Sequence, residues 1–215
     1  MTVPKVTIID YGVGNLLSVK RGFERCGASV TVTSDSRTIL ASEKIVLPGV
    51  GAFPRAMEAL NKLGLVPVIR EFAQSNKPLL AICLGMQLLL DHSQEFGHTT
   101  GLGLIPGSVK QVPEKNLLGG RQKIPHIGWN ELDLAEVPRS WSHTILASNR
   151  IKDSVYFVHS FMAVPTHSEH RIADTIYGGH RISAVISKNK ISGCQFHPEK
   201  SGEVGLRLLK EFVLQ

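Results

Sequence analysis

The sequence predicts an α/β chain with a mostly parallel central sheet, helices on both faces of it, and extra antiparallel strands in the C-terminal half. Three observations carry this. Short β-branched apolar runs alternate with helically spaced segments through the first hundred residues, the texture of buried parallel strands and their crossover helices. From Gly101 onward strand-like stretches follow one another around glycine-pair turns, which reads as hairpins. The chain then closes on a strand and a helix, as it opened. At 215 residues it fits one domain over 1–215 and can bury about 70% of the surface its unfolded chain exposes, so no staple is needed.

In order, Val6-Thr7-Ile8-Ile9 is a first strand, and the turn-like Tyr11-Gly12-Val13-Gly14-Asn15 leads into a helix over Leu16 to Cys26. Ser29 to Thr33 and Lys44 to Leu47 read as strands, Arg55 to Lys62 and Leu65 to Gln74 as helices, and Leu79 to Ile82 as an apolar strand after Pro78. The second half offers strands over Ser108 to Val112, Trp129 to Leu134, Ser154 to Val158, Arg171 to Ile176 and Ile182 to Ser187, with turns at Gly119-Gly120 and Gly178-Gly179. Ile191 to Phe196 is the last strand and Val204 to Leu214 the last helix. Without a repeat, low-complexity tract or linker, both halves are expected to share one core.

Lys and Arg number 24 against 18 Asp and Glu, a net charge of +6. The basic residues are scattered, without a run of five or aromatic interleaving, which argues against nucleic-acid binding and for a mildly basic face. No basic amino-terminal region precedes a long apolar stretch and no window reaches the roughly 18 apolar residues of a span, so no membrane association is expected. Three widely spaced cysteines, Cys26, Cys83 and Cys194, fit a reducing, cytoplasmic setting. Neither the cysteines nor the nine histidines show metal-ligand spacing, and no glycine motif completes a phosphate cradle; the expectation is no metal and no cofactor.

Chemistry gathers at the ends of three predicted strands. Cys83 follows one, with Leu84-Gly85-Met86-Gln87 opening a helix. A nucleophile needs such a strand, sharp turn and helix to be lifted clear of the sheet edge, and a helix N-terminus favours a thiolate; a buried core cysteine is the plain alternative. Gln195-Phe196-His197-Pro198-Glu199 follows another strand, where His197 is a candidate base and Glu199 its orienter. Pro48-Gly49-Val50-Gly51 ends a third, and its glycines let backbone N–H groups turn toward an oxyanion. The carboxyl ends of parallel strands are where sites form.

Pro48-Gly49-Val50-Gly51, Cys83-Leu84-Gly85-Met86-Gln87 and His197-Pro198-Glu199-Lys200-Ser201, in this order and at these separations, resemble the triad-type (class I) glutamine amidotransferases. Tyr11 to Leu16, Pro125-His126-Ile127-Gly128-Trp129-Asn130 and Tyr156-Phe157-Val158-His159-Ser160-Phe161 resemble, within that family, the glutaminase subunits of imidazole glycerol phosphate synthases. The resemblance implies that Cys83 attacks the side-chain amide of L-glutamine, His197 moves the protons and Glu199 holds His197. It implies an oxyanion hole at Val50, Gly51 and Leu84, and substrate contacts at Gly49, Gln87, Glu95, Val158, His159, Ser160 and Phe161. It also implies a heterodimer with a (β/α)8-barrel synthase that takes the ammonia in histidine biosynthesis. Asn15, Lys123, Trp129, Asn130, Tyr156 and Lys200 are the candidate partner contacts. Paralogous subunits supply ammonia for acetamidino-sugar formation in surface-glycan synthesis, and this alternative stays open. His126 and His159 are candidates for shaping the pocket or partner surface, or for core packing, and Cys26 and Cys194 for structural roles.

Overall fold

A computed structural model describes residues 3–137 and 140–215. The first part alternates as the periodicity predicts: β1 (Lys5–Ile9), α1 (Leu16–Arg25), β2 (Ser29–Thr33), α2 (Ser36–Ala41), β3 (Ile45–Gly49), α3 (Phe53–Lys62), α4 (Leu65–Gln74), β4 (Leu79–Cys83) and the short α5 (Leu84–Leu88). Then come β5 (His92–Ser93), β6 (Thr99–Thr100), β7 (Gly107–Gln111), β8 (His126–Glu131), β9 (Asp133–Leu134), β10 (Ser154–His159), β11 (Phe161–Pro165), β12 (Arg171–Tyr177), β13 (His180–Lys188), β14 (Ile191–Cys194) and α6 (Gly202–Leu214).

The main sheet has the order β2-β1-β3-β4-β14-β13-β12-β9. From β2 to β14 every pair is parallel, and from β14 to β9 every pair is antiparallel. The two textures of the sequence therefore meet in one sheet, where β14 lies beside β4. Its inner strands β3 and β4 are buried on both faces because both are covered, whereas the edge strand β2 is largely exposed. Along β3 and β4, Val46, Leu80 and Ile82 pack with Phe23 of α1 and Leu209 and Phe212 of α6, whereas Ile45, Leu47, Leu79 and Ala81 pack with Leu60 of α3 and Ile69 and Phe72 of α4. This is the two-residue period of a strand. Cys83 breaks it, lying with Ile82 on the α1–α6 side.

A four-stranded sheet, β11-β7-β5-β6, and a two-stranded ribbon of β8 and β10 complete the fold. Gly178-Gly179 turns β12 into β13, and Gly119-Gly120 closes a small turn across the Lys115–Arg121 bridge. Two readings need correction. The predicted strand Trp129 to Leu134 starts earlier and divides at Leu132, which is buried. Helix α2, strand β11 and the pair β5–β6 were not anticipated. Asp35 signals α2: its carboxylate accepts from the Thr38 N–H at 2.8 Å, an N-cap in a short polar stretch. Among the described residues, no helix is long and apolar enough to cross a membrane.

Candidate active site

Strands β3, β4 and β14 are neighbours, with Gly49 opposite Cys83 and Cys194 opposite Ile82. Their carboxyl ends therefore bring together the 49–51 loop, Cys83 and the 195–199 segment. Cys83 has φ 56° and ψ −112°, a conformation that L residues rarely hold, and it caps α5. This bend explains its departure from strand alternation, and such strain persists only where surrounding packing enforces it. The packing is severe: a Cβ on Gly85 would lie 1.9 Å from the Leu47 carbonyl oxygen.

His197 and Glu199 meet across 2.8 Å through Nδ1 and Oε1, both side chains buried. A carboxylate accepts, so Nδ1 carries the hydrogen and Nε2 is left for Cys83, which lines the same cavity as the ring. Burial opposes a charged imidazole here. The hydrogen bonds and charges of Cys83 and Glu199 outweigh it and push His197 up to about 10. The ring is tethered by its backbone: His197 N–H donates to the Tyr156 carbonyl at 3.0 Å, and the Ser201 hydroxyl donates to the His197 carbonyl at 2.7 Å. A cysteine, an imidazolium and the carboxylate that orients it, gathered at one site, can perform acyl transfer. If Glu199 holds the ring so, Glu199→Gln should lower kcat for glutamine hydrolysis on the order of a hundred-fold or more; a pH–rate profile is the check, and unchanged kcat would refute the role.

A cavity of about 370 Å³ opens over Cys83, lined by Val50, Gly51, Leu84, Gln87, Glu95, Val158, His159, Ser160, Phe161, His197 and Lys200. Gly49 is not in the lining; a Cβ there would lie 2.7 Å from the Tyr11 hydroxyl. Gln87 Nε2 donates to the Phe161 carbonyl at 2.9 Å and to Gln195 Oε1 at 3.0 Å. Glu95 Oε2 accepts from the Phe53 N–H at 2.7 Å, tying the β5–β6 loop to the start of α3. Leu84 is the first residue of α5, where N–H groups have no intrahelical acceptor.

Sequence reasoning missed three residues of this neighbourhood. Pro125 lines the cavity. Gln195 Nε2 approaches the Cys83 sulfur at 3.8 Å. Tyr11, buried with its hydroxyl donating to the Pro48 carbonyl at 2.7 Å, pins the strand before the glycine pair. Gln195 stood beside His197 in the motif, and its polar character at the end of an apolar strand was the available signal.

Trp129 and Tyr156 are opposite each other in the ribbon, their rings edge to face at 6.0 Å, with Trp129 59% exposed. Lys200 lines the cavity, whereas Trp129 and Tyr156 lie outside its lining. Lys123 is exposed, two residues before Pro125, and its carbonyl accepts from the Tyr177 hydroxyl. Asn15 caps α1 by accepting from the Ser18 N–H. Asn130 is turned inward, its amide donating to the Ile176 carbonyl at 2.8 Å.

Burial holds His126 down to about 4 and His159 down to about 3. An unfolded chain takes up both protons near pH 6.5, so stability falls as pH drops from about 6.5 toward 4. His197 acts oppositely: its contribution is complete below about pH 6.5 and is lost as pH rises through about 10. Asp35 and Asp133, held below the usual carboxylate range by Thr38 and Lys152, matter only below that acid window. The midpoint of thermal unfolding is expected to be lower at pH 5 than at pH 6.5 by calorimetry; an equal or higher value would contradict two neutral buried histidines.

A family model for class I glutamine amidotransferases matches residues 7–215. The chain belongs to this family. The amidotransferase is 53% identical over 97% of its length to imidazole glycerol phosphate synthase subunit HisH 1 of Legionella pneumophila strain Lens, covering 98% of that protein. It is 46% identical to subunit HisH of Geobacter sulfurreducens, over 97% of each chain. Among solved structures, PurLQS from Thermotoga maritima superposes with a TM-score of 0.71 at 19% identity, covering 99% of each chain. That likeness shows the fold of the amidotransferase, as the strand pattern predicts.

Proposed function

We propose that this amidotransferase is the glutaminase subunit of an imidazole glycerol phosphate synthase, hydrolysing L-glutamine to glutamate and passing ammonia to a (β/α)8-barrel partner in histidine biosynthesis. The observation that carries the chemistry is that Cys83 and His197 line one cavity, with Glu199 hydrogen-bonded to His197 at 2.8 Å. The pathway follows the relatives, about half identical over nearly the whole chain and named as subunits of that synthase; these names do not favour the glycan alternative. In this reading residues 1–215 form one glutaminase domain in a cytoplasmic heterodimer. No metal or cofactor takes part in its chemistry.

Cys83 Sγ attacks the amide carbon of glutamine while the carbonyl oxygen takes up charge facing the N–H groups of Val50 or Gly51 and Leu84. The tetrahedral adduct collapses, the C–N bond breaks, and His197 gives its proton to the departing ammonia. A thioester remains on Cys83. His197 then takes a proton from water, whose oxygen attacks the thioester carbon; the C–S bond breaks, and glutamate and the thiolate–imidazolium pair are restored. Gln87, Glu95 and the 158–161 segment face the space for the amino-acid end of the substrate. Trp129 and Tyr156, with Lys200, Lys123 and Asn15, form the docking face. Asn130 supports that face from behind.

Gly51 holds φ +92° and Val50 is 43% exposed, so the oxyanion loop has the freedom to occupy two states. The free subunit is expected to release glutamate slowly, and the assembled complex much faster when the synthase holds its phosphoribulosyl-formimino ligand. Glutamate release by the chain alone, with the barrel, and with barrel plus ligand tests this. Equal rates in all three would remove the switch; stimulation without that ligand would point to another acceptor.

A further inference from the structure

A file of hydrogen-bonded groups runs from the β8–β10 ribbon to Cys83, and the chemistry above gives no step to the two imidazole rings at its head. His126 and His159 are opposite one another in the ribbon register and both buried, with His126 Nδ1 3.0 Å from His159 Nε2. His159 Nδ1 lies 2.9 Å from the Phe161 carbonyl oxygen. A carbonyl only accepts, so His159 Nδ1 carries the hydrogen. With both rings kept neutral by burial, His159 Nε2 is bare and accepts from His126 Nδ1–H. His126 Nε2 is bare in turn, and the Asn130 amide nitrogen stands 3.4 Å away as its donor. That nitrogen gives its other hydrogen to Ile176. The network thus assigns both tautomers.

The file continues past Phe161. Its carbonyl also accepts from Gln87, Gln87 donates to Gln195, and Gln195 reaches the Cys83 sulfur. His126 is held flat against Phe157 and Tyr177, with ring centroids at 4.9 and 4.0 Å. Core packing alone would be served by apolar rings. Two imidazoles with every ring nitrogen matched in one direction instead fix an orientation, because a buried nitrogen without its partner is costly.

We infer that His126 and His159 are positioning residues: the pair aims the Phe161 carbonyl, holding the 158–161 cavity wall and the Gln87–Gln195 link to Cys83 in register with the ribbon that carries Trp129 and Tyr156. The kinetic consequence rests on the glutaminase reading; the tautomers do not. Long-range ¹⁵N–¹H spectra of the full-length chain at pH 7 should show both rings neutral with the proton on Nδ1. An Nε2 proton or an imidazolium at either ring overturns the inference. In the synthase complex, His126→Leu should raise KM for glutamine about ten-fold with kcat within about threefold. His126→Asn, which keeps a donor near the Nδ1 position, should recover most of that loss. An unchanged KM in the leucine variant, or equal loss in both variants, overturns the positioning role. Because the spectra use the unsubstituted chain, a variant that fails to fold leaves the test intact. Cys83→Ala run in the same assay reports separately on the glutaminase reading: hydrolysis by that variant would sink the reading and leave the tautomer result standing.

Discussion

Cys83→Ala is expected to lower glutamine hydrolysis by the assembled complex by a factor on the order of 10⁴–10⁶, the scale on which removal of a nucleophile acts when its base and oxyanion donors remain. The prediction rests on geometry as well as motif. Cys83 sits at φ 56° on the bend between β4 and α5, its sulfur within reach of the His197 ring and of Gln195. Removing the sulfur takes away the thioester while leaving the cavity walls in place, so glutamine binding by calorimetry should survive as glutamate release disappears. Hydrolysis within about tenfold of the unsubstituted complex would take the chemistry away from Cys83.

The second large effect is expected at Gly85. A methyl group there would enter the Leu47 backbone carbonyl at 1.9 Å and stand 3.0 Å from its carbon, and backbone at the end of a buried strand cannot swing aside as a long side chain would. Gly85→Ala should therefore cost about 3 kcal/mol or more in urea unfolding, at the upper end of overpacking. It should also abolish glutaminase activity, because relief of the clash must move either the β3 end below the oxyanion loop or the bend that presents Cys83. Gly64→Ala is the control. Its φ is +66° and a Cβ would meet nothing within 4 Å, so only the conformational cost of about 1 kcal/mol is expected. Equal effects at the two glycines would show that the close approach of α5 to β3 is not what Gly85 supplies.

Much of the architecture was legible because it is written in short-range periodicity. The apolar runs from Val6, Lys44 and Leu79 predicted β1, β3 and β4 to within two residues, and Leu65 to Gln74 is α4 as observed. The elements that escaped are those whose pattern is too short or too exposed. Strands β5 and β6 have two residues each. Strand β11 alternates only partly in burial and is held by pairing with β7, Phe161 opposite Gln111 and Pro165 opposite Gly107, far apart in the chain.

The candidate site divides along the same line. Cys83, His197, Glu199 and the glycine pair could be named from residue types and order, since a strand end, a turn and a helix start are local features and the motif places reactive groups on them; the 158–161 segment was named only through the family resemblance. Their meeting could not be read locally. It depends on β14 pairing with β4, which sets Cys194 opposite Ile82 although 112 residues separate them, and no nearest-neighbour preference encodes that partner. Other long-range contacts set the rest: β8 pairing with β10 puts His126 opposite His159, the approach of β8 to β12 lets the Asn130 amide donate to the Ile176 carbonyl, and β14 beside β4 brings Gln195 near the sulfur. Side-chain periodicity tells each segment which face to bury; which polar atoms then lie within 3 Å of each other follows from packing and strand register across the whole chain.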